Sequence, residues 1–334
     1  MNVTVRKSGG SELLTMKNDV GLSVTIDPYG AAIYEISYLG KPLTVAPKEL
    51  PVFEMGSGYH GKCVGRIAGR VKDALLTFEG QEFRMTPNEG PNCLHGGPKG
   101  LSYRKWGYSV NDNEDAAEAV FETLLEDGSD GLPGNLVVEA SFILYAEEPR
   151  LRIEYAYRSD RDTVVNLTQH TYFNLGGEPS VEGHILTIKA SKAETYREDL
   201  IPLGMAPVTA PLDFREGKPI GKDIDDPSLY VTRTKGYDHC YLLDPLGPGE
   251  AGIILEGRRH TLEVRSSYPA VQIFSSNYPK EGMPLTDGRE DCLHSGLAIE
   301  PVFVPGDFGA MAVKAGKTKK MWIEYEFAAK GEKA

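Results

Sequence analysis

Short runs in which apolar and polar residues alternate, each closed by a turn signal, recur along this chain and constrain its fold more than any other feature. They cover residues 22–26, 76–83 with a break at Glu79-Gly80, 136–145, 151–157, 184–188, 252–264 with a break near Gly257, 270–274 and 321–327. A period of two sends successive side chains to opposite faces of an extended backbone, so each run reads as a strand with one buried face. Repeated hairpins make the expected architecture all-β and mostly antiparallel. The 37 Gly and 17 Tyr of this 334-residue chain point the same way, toward turns and strands.

One segment reads against its neighbours. Ala117, Val120, Phe121, Leu124 and Leu125 recur at helical spacing between Glu114 and Glu126. Strands flank the segment and Asp127-Gly128 closes it, so a strand is expected there in spite of the local period. Residues 198–226 are rich in Pro, Gly and Asp, with no clear strand of more than a few residues. A loop that long is usually functional or ordered by its own packing. Length alone suggests about two domains, but a large sandwich absorbs such a chain in one unit. No repeat or linker divides it, and residues 1–334 are expected to form one domain.

The formal net charge of −12 argues against nucleic acid, whose binding rests on Lys and Arg neutralising phosphates. It also disfavours highly anionic substrates. Residues 1–12 contain no apolar signal core and no apolar run approaches bilayer length, so a cytoplasmic protein with no membrane partner is expected. Cys63, Cys93, Cys240 and Cys292 lie far apart with no C-x-x-C pair, which reads as free, mostly buried thiols.

Two histidines stand beside glycine pairs, where a backbone turns sharply or approaches a ligand closely: His95 in NCLHGG (92–97) and His170 in NLTQHTYFNLGG (166–177). Histidine is the side chain best matched to proton transfer near neutral pH. Glu300 follows Leu297-Ala298-Ile299 and precedes Pro301, a carboxylate at the end of an apolar strand, where desolvation would make it a better base. Spacing alone equally allows a solvated edge glutamate. Asp238 in GYDH (236–239) and Arg70 in GRIAGR (65–70) offer an acceptor and a fork of donors suited to vicinal hydroxyls. A turn aspartate and structural cations at Arg66 and Arg70 are the alternatives.

His60-x-x-Cys63 and Cys93-x-His95 together supply four nitrogen and sulfur groups of the kind zinc accepts, but the second pair lies inside the His95 motif, and no metal is expected. Phosphate-loop and serine-hydrolase glycine motifs are absent.

In content and order these motifs resemble the aldose 1-epimerase (galactose mutarotase) family over nearly the whole chain. The markers are GRIAGR (65–70), NCLHGG (92–97), DGSDGLPGNL (127–136), NLTQHTYFNLGG (166–177), YDH (237–239), PAVQIFSSN (269–277) and LAIE (297–300). The resemblance implies a large antiparallel β-sandwich with an open cleft across one sheet, acting without cofactor on a monosaccharide such as galactose or glucose. It implies Glu300 as general base and His170 as general acid, with His95, Arg70, Asp238 and Gln272 holding the sugar. Asn88 and Asn92 add hydroxyl contacts or hold the His95 loop. The chain departs from the pattern at Gly69, where many relatives carry Asn, at Pro301, where Thr or Gln is common, and over residues 302–320, from which nothing is transferred.

Anomerisation needs one proton taken from the C1 hydroxyl and one given to the ring oxygen, so a base and an acid suffice. Reference pKa values of about 4.3 for Glu and about 6.5 for His leave a working window, whose two limbs a carboxylate beside the histidine and burial of the glutamate are expected to raise. Two other readings use the same residues. A glycosidase would employ Asp238 and Glu300 as paired carboxyls, and a noncatalytic carbohydrate-binding module would use the cleft without proton transfer.

Overall fold

The structure, a computed structural model, describes residues 1–8, 11–56, 58–232 and 234–331. Among these, the strands form three large antiparallel sheets and several two-stranded ladders. The largest sheet runs in the order Gly107–Asp112, Ala116–Leu125, Leu136–Tyr145, Arg150–Ser159, Thr318–Ala329, His260–Ser266, Ile253–Glu256, Ile185–Ile188, Lys218–Pro219. The second runs Tyr172–Phe173, Leu297–Val302, Ala270–Phe274, Asp238–Leu242, Lys192–Tyr196, Pro202–Pro207. The third is a meander of Asn2–Ser8, Ser11–Lys17, Leu22–Asp27, Ala32–Tyr38 and Lys41–Pro42.

The ambiguous segment is the strand Ala116–Leu125, as its context suggested. It pairs on both sides, with Gly107–Asp112 and with Leu136–Tyr145. That pairing buries Ala117, Ala119, Phe121 and Leu125 and leaves Leu124 exposed, a period-two outcome that overrides the helical spacing of its apolar residues. The expectation for residues 198–226 needs correction. They contain the six-residue strand Pro202–Pro207, paired with Lys192–Tyr196 at the sheet edge. An edge strand pairs on one side only, so it tolerates the two prolines and the glycine that hide its strand character in the sequence.

Alternation decides which side chains meet. Phe121, Phe142, Ile153, Tyr155, Ile323 and Tyr325 of the largest sheet share one buried cluster with Tyr241, Val271, Ile273, Leu297 and Ile299 of the second. Phe173 and Tyr325 join the two sheets edge to face, with ring centroids 5.1 Å apart. The meander contributes Leu14, Met16, Val24 and Ile26 to the same cluster. Each such side chain contributes about 1.5–3 kcal/mol on full burial. The result is the antiparallel β-sandwich expected from the sequence. Because Val271, Ile273 and Ile299 point into the core, their neighbours Gln272 and Glu300 must point out of the opposite face of the second sheet. Among the described residues no helix is long and apolar enough to cross a membrane.

Candidate active site

On that opposite face, Gln272 pairs directly with Glu300 across adjacent strands, and Asp238 stands opposite Phe274 on the next strand. Three polar side chains therefore share one face, Gln272 and Glu300 in one cross-strand row and Asp238 diagonal to Gln272, and Gln272 Nε2 donates to Asp238 Oδ1 at 2.6 Å. They lie in a cavity of about 430 Å³ that also takes in Tyr59, Arg70, His95, His170 and Tyr172. The volume is that of a small-molecule site, and the mixture of rings with convergent polar groups suits a sugar.

His170 follows the ladder strand Thr168–Gln169, and its backbone is fixed by Lys62 O at 2.9 Å and Gly61 N at 2.7 Å. Behind it, buried Gln169 accepts from Tyr155 Oη at 2.8 Å and donates to Ala31 O at 3.0 Å. The His170 ring stacks on Tyr172, centroids 5.0 Å apart, and its Nε2 lies 3.4 Å from Glu300 Oε1. Tyr59 packs against His95 at 4.7 Å. The NCLHGG turn is held by its glycines: Gly96 has φ +82°, and a Cβ there would lie 2.1 Å from Gly65 O.

Arg70 is gripped from two sides. Glu89 accepts from its Nε at 2.7 Å and its Nη2 at 2.9 Å, and Asp238 Oδ2 lies 3.6 Å from Nη1. Burial works against the guanidinium charge, but Asp238 and Glu89 outweigh it and raise the arginine pKa. Arg66, by contrast, is a buried structural cation bound to Asp130 at 2.9 Å and Pro133 O at 2.9 Å. Of the two roles open to the asparagines, the contacts favour loop support. Asn88 Oδ1 accepts from Leu94 N at 2.7 Å and Asn92 Oδ1 from Asp73 N at 3.0 Å. Glu89, Tyr59 and Tyr172 do not stand out in the sequence as site residues. Tyr172 lies inside the His170 motif, so its ring is the one detectable signal.

Desolvation dominates the site's charge states. Burial, then the nearby Asp238 charge, holds the Glu300 carboxyl well above the usual carboxylate range, with Arg70 opposing. Burial likewise raises Asp238, against the pull of Arg70. The expectation that a neighbouring carboxylate would raise His170 is not met: burial pushes its imidazole down to about 4. Burial opposes the imidazolium, and the same burial opposes the Glu300 carboxylate that would otherwise favour it.

The four groups considered for zinc do not converge. His60 stacks on Tyr172 at 4.4 Å, while Cys63 and Cys93 belong to the main core, where burial pushes both thiols up to about 12 and disfavours the thiolate a metal needs. Among the described residues the cluster close enough for a metal is His95, His170 and Glu300, with candidate atoms within 4.8 Å of one another. Gly69 N donates to His95 Nδ1 at 3.2 Å, which puts the proton of the neutral ring on Nε2. That nitrogen is then a hydrogen-bond donor rather than a ligand, and His95, held neutral by burial, suits a sugar oxygen.

The departures from the motif pattern have local explanations. Gly69 adopts φ +84° with nothing within 4 Å of a Cβ position, so the cavity is simply wider there. Pro301 pairs with Val271 on one side, while the strand on the other side, Tyr172–Phe173, reaches only Leu297 and Ala298. The missing N–H therefore costs no ladder bond on that side, and Glu300 keeps its place opposite Gln272. Within residues 302–320, Val302, Phe303 and Pro305 complete the cavity wall.

A β-sandwich with a buried carboxyl and imidazole facing each other in a sugar-suited cavity has the features of a carbohydrate-processing enzyme. The chain belongs to the aldose 1-epimerase family, whose model matches residues 12–326. It is 33% identical over 308 residues to the aldose 1-epimerase of Escherichia coli strain K12, covering 88% of this chain and 86% of that one. It is 31% identical over 258 residues to the galactose mutarotase of Sus scrofa, covering 75% and 72%. The crystal structure of galactose 1-epimerase from Lactobacillus acidophilus NCFM superposes with a TM-score of 0.88 at 26% identity, covering 98% of each chain. The protein is accordingly an isomerase that interconverts sugar anomers.

Proposed function

We propose that Glu300 is the general base and His170 the general acid for mutarotation of free neutral aldoses such as galactose and glucose, within one catalytic domain. The observation that carries this reading is the 3.4 Å approach of Glu300 Oε1 to His170 Nε2 in the cavity. Catalytic contacts are often long in a site without substrate and tighten around it.

Burial favours the uncharged pair, so in the working form a proton has passed from Glu300 to His170 and Glu300 is anionic. Glu300 takes the proton of the C1 hydroxyl while His170 gives one to the ring oxygen. The bond between C1 and the ring oxygen breaks and C1 becomes an aldehyde carbon. Rotation about the C1–C2 bond presents its other face, and the same transfers in reverse close the opposite anomer. The pair ends with the number of protons it began with. His95 Nε2, the Arg70 guanidinium, Asp238 and Gln272 hold the hydroxyls, and Asn88 and Asn92 hold the loop that carries His95.

The glycosidase alternative draws no support from Asp238. Its oxygens face Gln272 and Arg70, whereas Glu300 faces an imidazole. The four cysteines are unpaired, in keeping with a reducing cytoplasm as the site of the reaction. Polarimetry of freshly dissolved α-galactose, α-glucose and maltose, with and without protein, tests the reading. Acceleration of the monosaccharides supports it, and rates equal to the spontaneous ones reject it.

A further inference from the structure

The least expected feature of the cavity is the company of its arginine. An unoccupied guanidinium fork on a pocket wall is the usual device for capturing a carboxylate or phosphate. Here the fork is already filled: Arg70 Nε and Nη2 donate to the two oxygens of Glu89 at 2.7 and 2.9 Å, and Nη1 faces Asp238 Oδ2 at 3.6 Å.

Glu89 does not owe its position to the arginine. It opens a tight turn whose ends are bonded to each other, Glu89 N to Asn92 O at 3.1 Å and Asn92 N to Glu89 O at 3.0 Å. The side chains of Asn88 and Asn92 anchor that turn to Leu94 and Asp73. The carboxylate is therefore presented to Arg70 by the backbone, and about 38% of its side chain remains exposed to the cavity mouth.

The geometry points to Glu89 as a specificity-determining residue that cancels Arg70 as an anion site, so that the enzyme accepts neutral aldoses and rejects aldoses carrying a carboxylate or phosphate. An anionic sugar entering this cavity would meet Glu89, Asp238 and Asp291 on the walls against one ammonium, Lys280, with no free guanidinium fork to receive it. A neutral sugar loses nothing, because the remaining N–H groups of Arg70 still donate to hydroxyls. This inference rests on the mutarotase reading for its substrates but not for its test, since affinity is measured alongside turnover.

The experiment compares the parent, Glu89→Gln and Glu89→Asp on galactose and on galacturonate, whose anomeric centre is also free. Polarimetry gives kcat/KM and calorimetric titration gives Kd, each at low and high salt. In Glu89→Gln the preference for galactose over galacturonate is expected to shrink by about tenfold or more, through better binding of galacturonate and with a gain that fades at high salt. Glu89→Asp keeps the charge on the same turn and is expected to stay within about threefold of the parent preference. An unchanged preference in Glu89→Gln overturns the proposal. So does an equal loss on both sugars, or an equal shift in Glu89→Asp, which would make the effect one of loop shape. If the parent turns over neither sugar, the mutarotase reading falls while the Kd ratios still judge Glu89.

Discussion

Nε2 of His170 and Oε1 of Glu300 lie 3.4 Å apart, with both side chains almost wholly buried. Two titratable groups so placed exchange a proton with each other more cheaply than either does with solvent, which is what a reaction that takes one proton and returns one requires. Glu300→Gln retains the shape and the contact to His170 but removes the basic oxygen. Its kcat is expected to fall by about 10² to 10⁴, with sugar affinity changed little. Polarimetry with a parallel binding titration checks both halves. Near-normal turnover would remove Glu300 from its role, and a parent protein without turnover would leave only a binding module.

Asp238 and Gln272 form the second prediction. Their bond of 2.6 Å joins neighbouring strands and fixes which oxygen of Asp238 faces the cavity. Asp238→Asn removes the charge opposite Arg70 and one strong acceptor for a hydroxyl. Loss of a hydrogen bond to a charged group is worth about 1.5–3 kcal/mol, so KM is expected to rise roughly ten- to hundredfold. The effect on kcat should be smaller, which separates a sugar-holding residue from the acid and the base. A collapse of kcat with KM unmoved would instead support Asp238 as a catalytic carboxyl of the glycosidase type.

Gly96 supports the site from outside it. Its φ is +82°, and any Cβ at this position would come within 2.1 Å of Gly65 O, which leaves no room for a side chain. Gly96→Ala is expected to destabilise the fold by more than about 1 kcal/mol, from the backbone conformation alone, with the steric clash adding to it. Thermal denaturation measures this. A variant as stable as the parent would mean that the turn around His95 is not as tightly determined as its geometry implies.

Much of this is legible in the sequence, for identifiable reasons. Ala270–Phe274 and Leu136–Tyr145 carry clean alternation because one face of each is buried, and their boundaries follow from the sequence. The same alternation sets Gln272 and Glu300 on the face away from Ile273 and Ile299. Pro202–Pro207 is hidden because an edge strand needs only one partner and so keeps no apolar pattern. Glu89 is hidden for a different reason. Its role depends on Arg70, nineteen residues away, reached only when two short ladder strands, Arg70–Val71 and Cys93–Leu94, pair. The sign of the His170 shift is also out of reach, since it turns on how deeply the ring is buried, and a sequence does not state burial.

The His95 tautomer bears on metal dependence. With Gly69 N donating to Nδ1, the ring presents an N–H where a metal would need a lone pair. Turnover is expected to survive exhaustive chelation unchanged, and metal analysis of the purified protein should find less than stoichiometric zinc. Activity lost on chelation and restored only by adding metal would overturn both the tautomer argument and the two-residue mechanism.

The pH dependence follows from the direction of the two shifts. Activity requires the form of the pair that holds one proton. Below the acid limb both groups are protonated and Glu300 cannot accept; above the alkaline limb both are deprotonated and His170 cannot donate. Burial pushes His170 down to about 4, so the doubly protonated form appears only in that region, and the acid limb is expected there. Burial raises Glu300, so the last proton is lost later than an ordinary carboxyl would lose it, and the alkaline limb moves up. The shifts have opposite signs, so the acid limb stays in the ordinary carboxylate region while the alkaline limb moves up, in contrast to the upward movement of both limbs expected from a carboxylate beside His170 and burial of Glu300. Because the groups touch, the limbs belong to the pair and not to either residue. His170→Asn separates the contributions. Without the imidazole only the ionisation of Glu300 remains, so the residual rate should climb with pH and show no alkaline decline. With the spontaneous rate subtracted at each pH, a variant that kept comparable activity and a descending alkaline limb would remove His170 as the acid and make His95 the next residue to test.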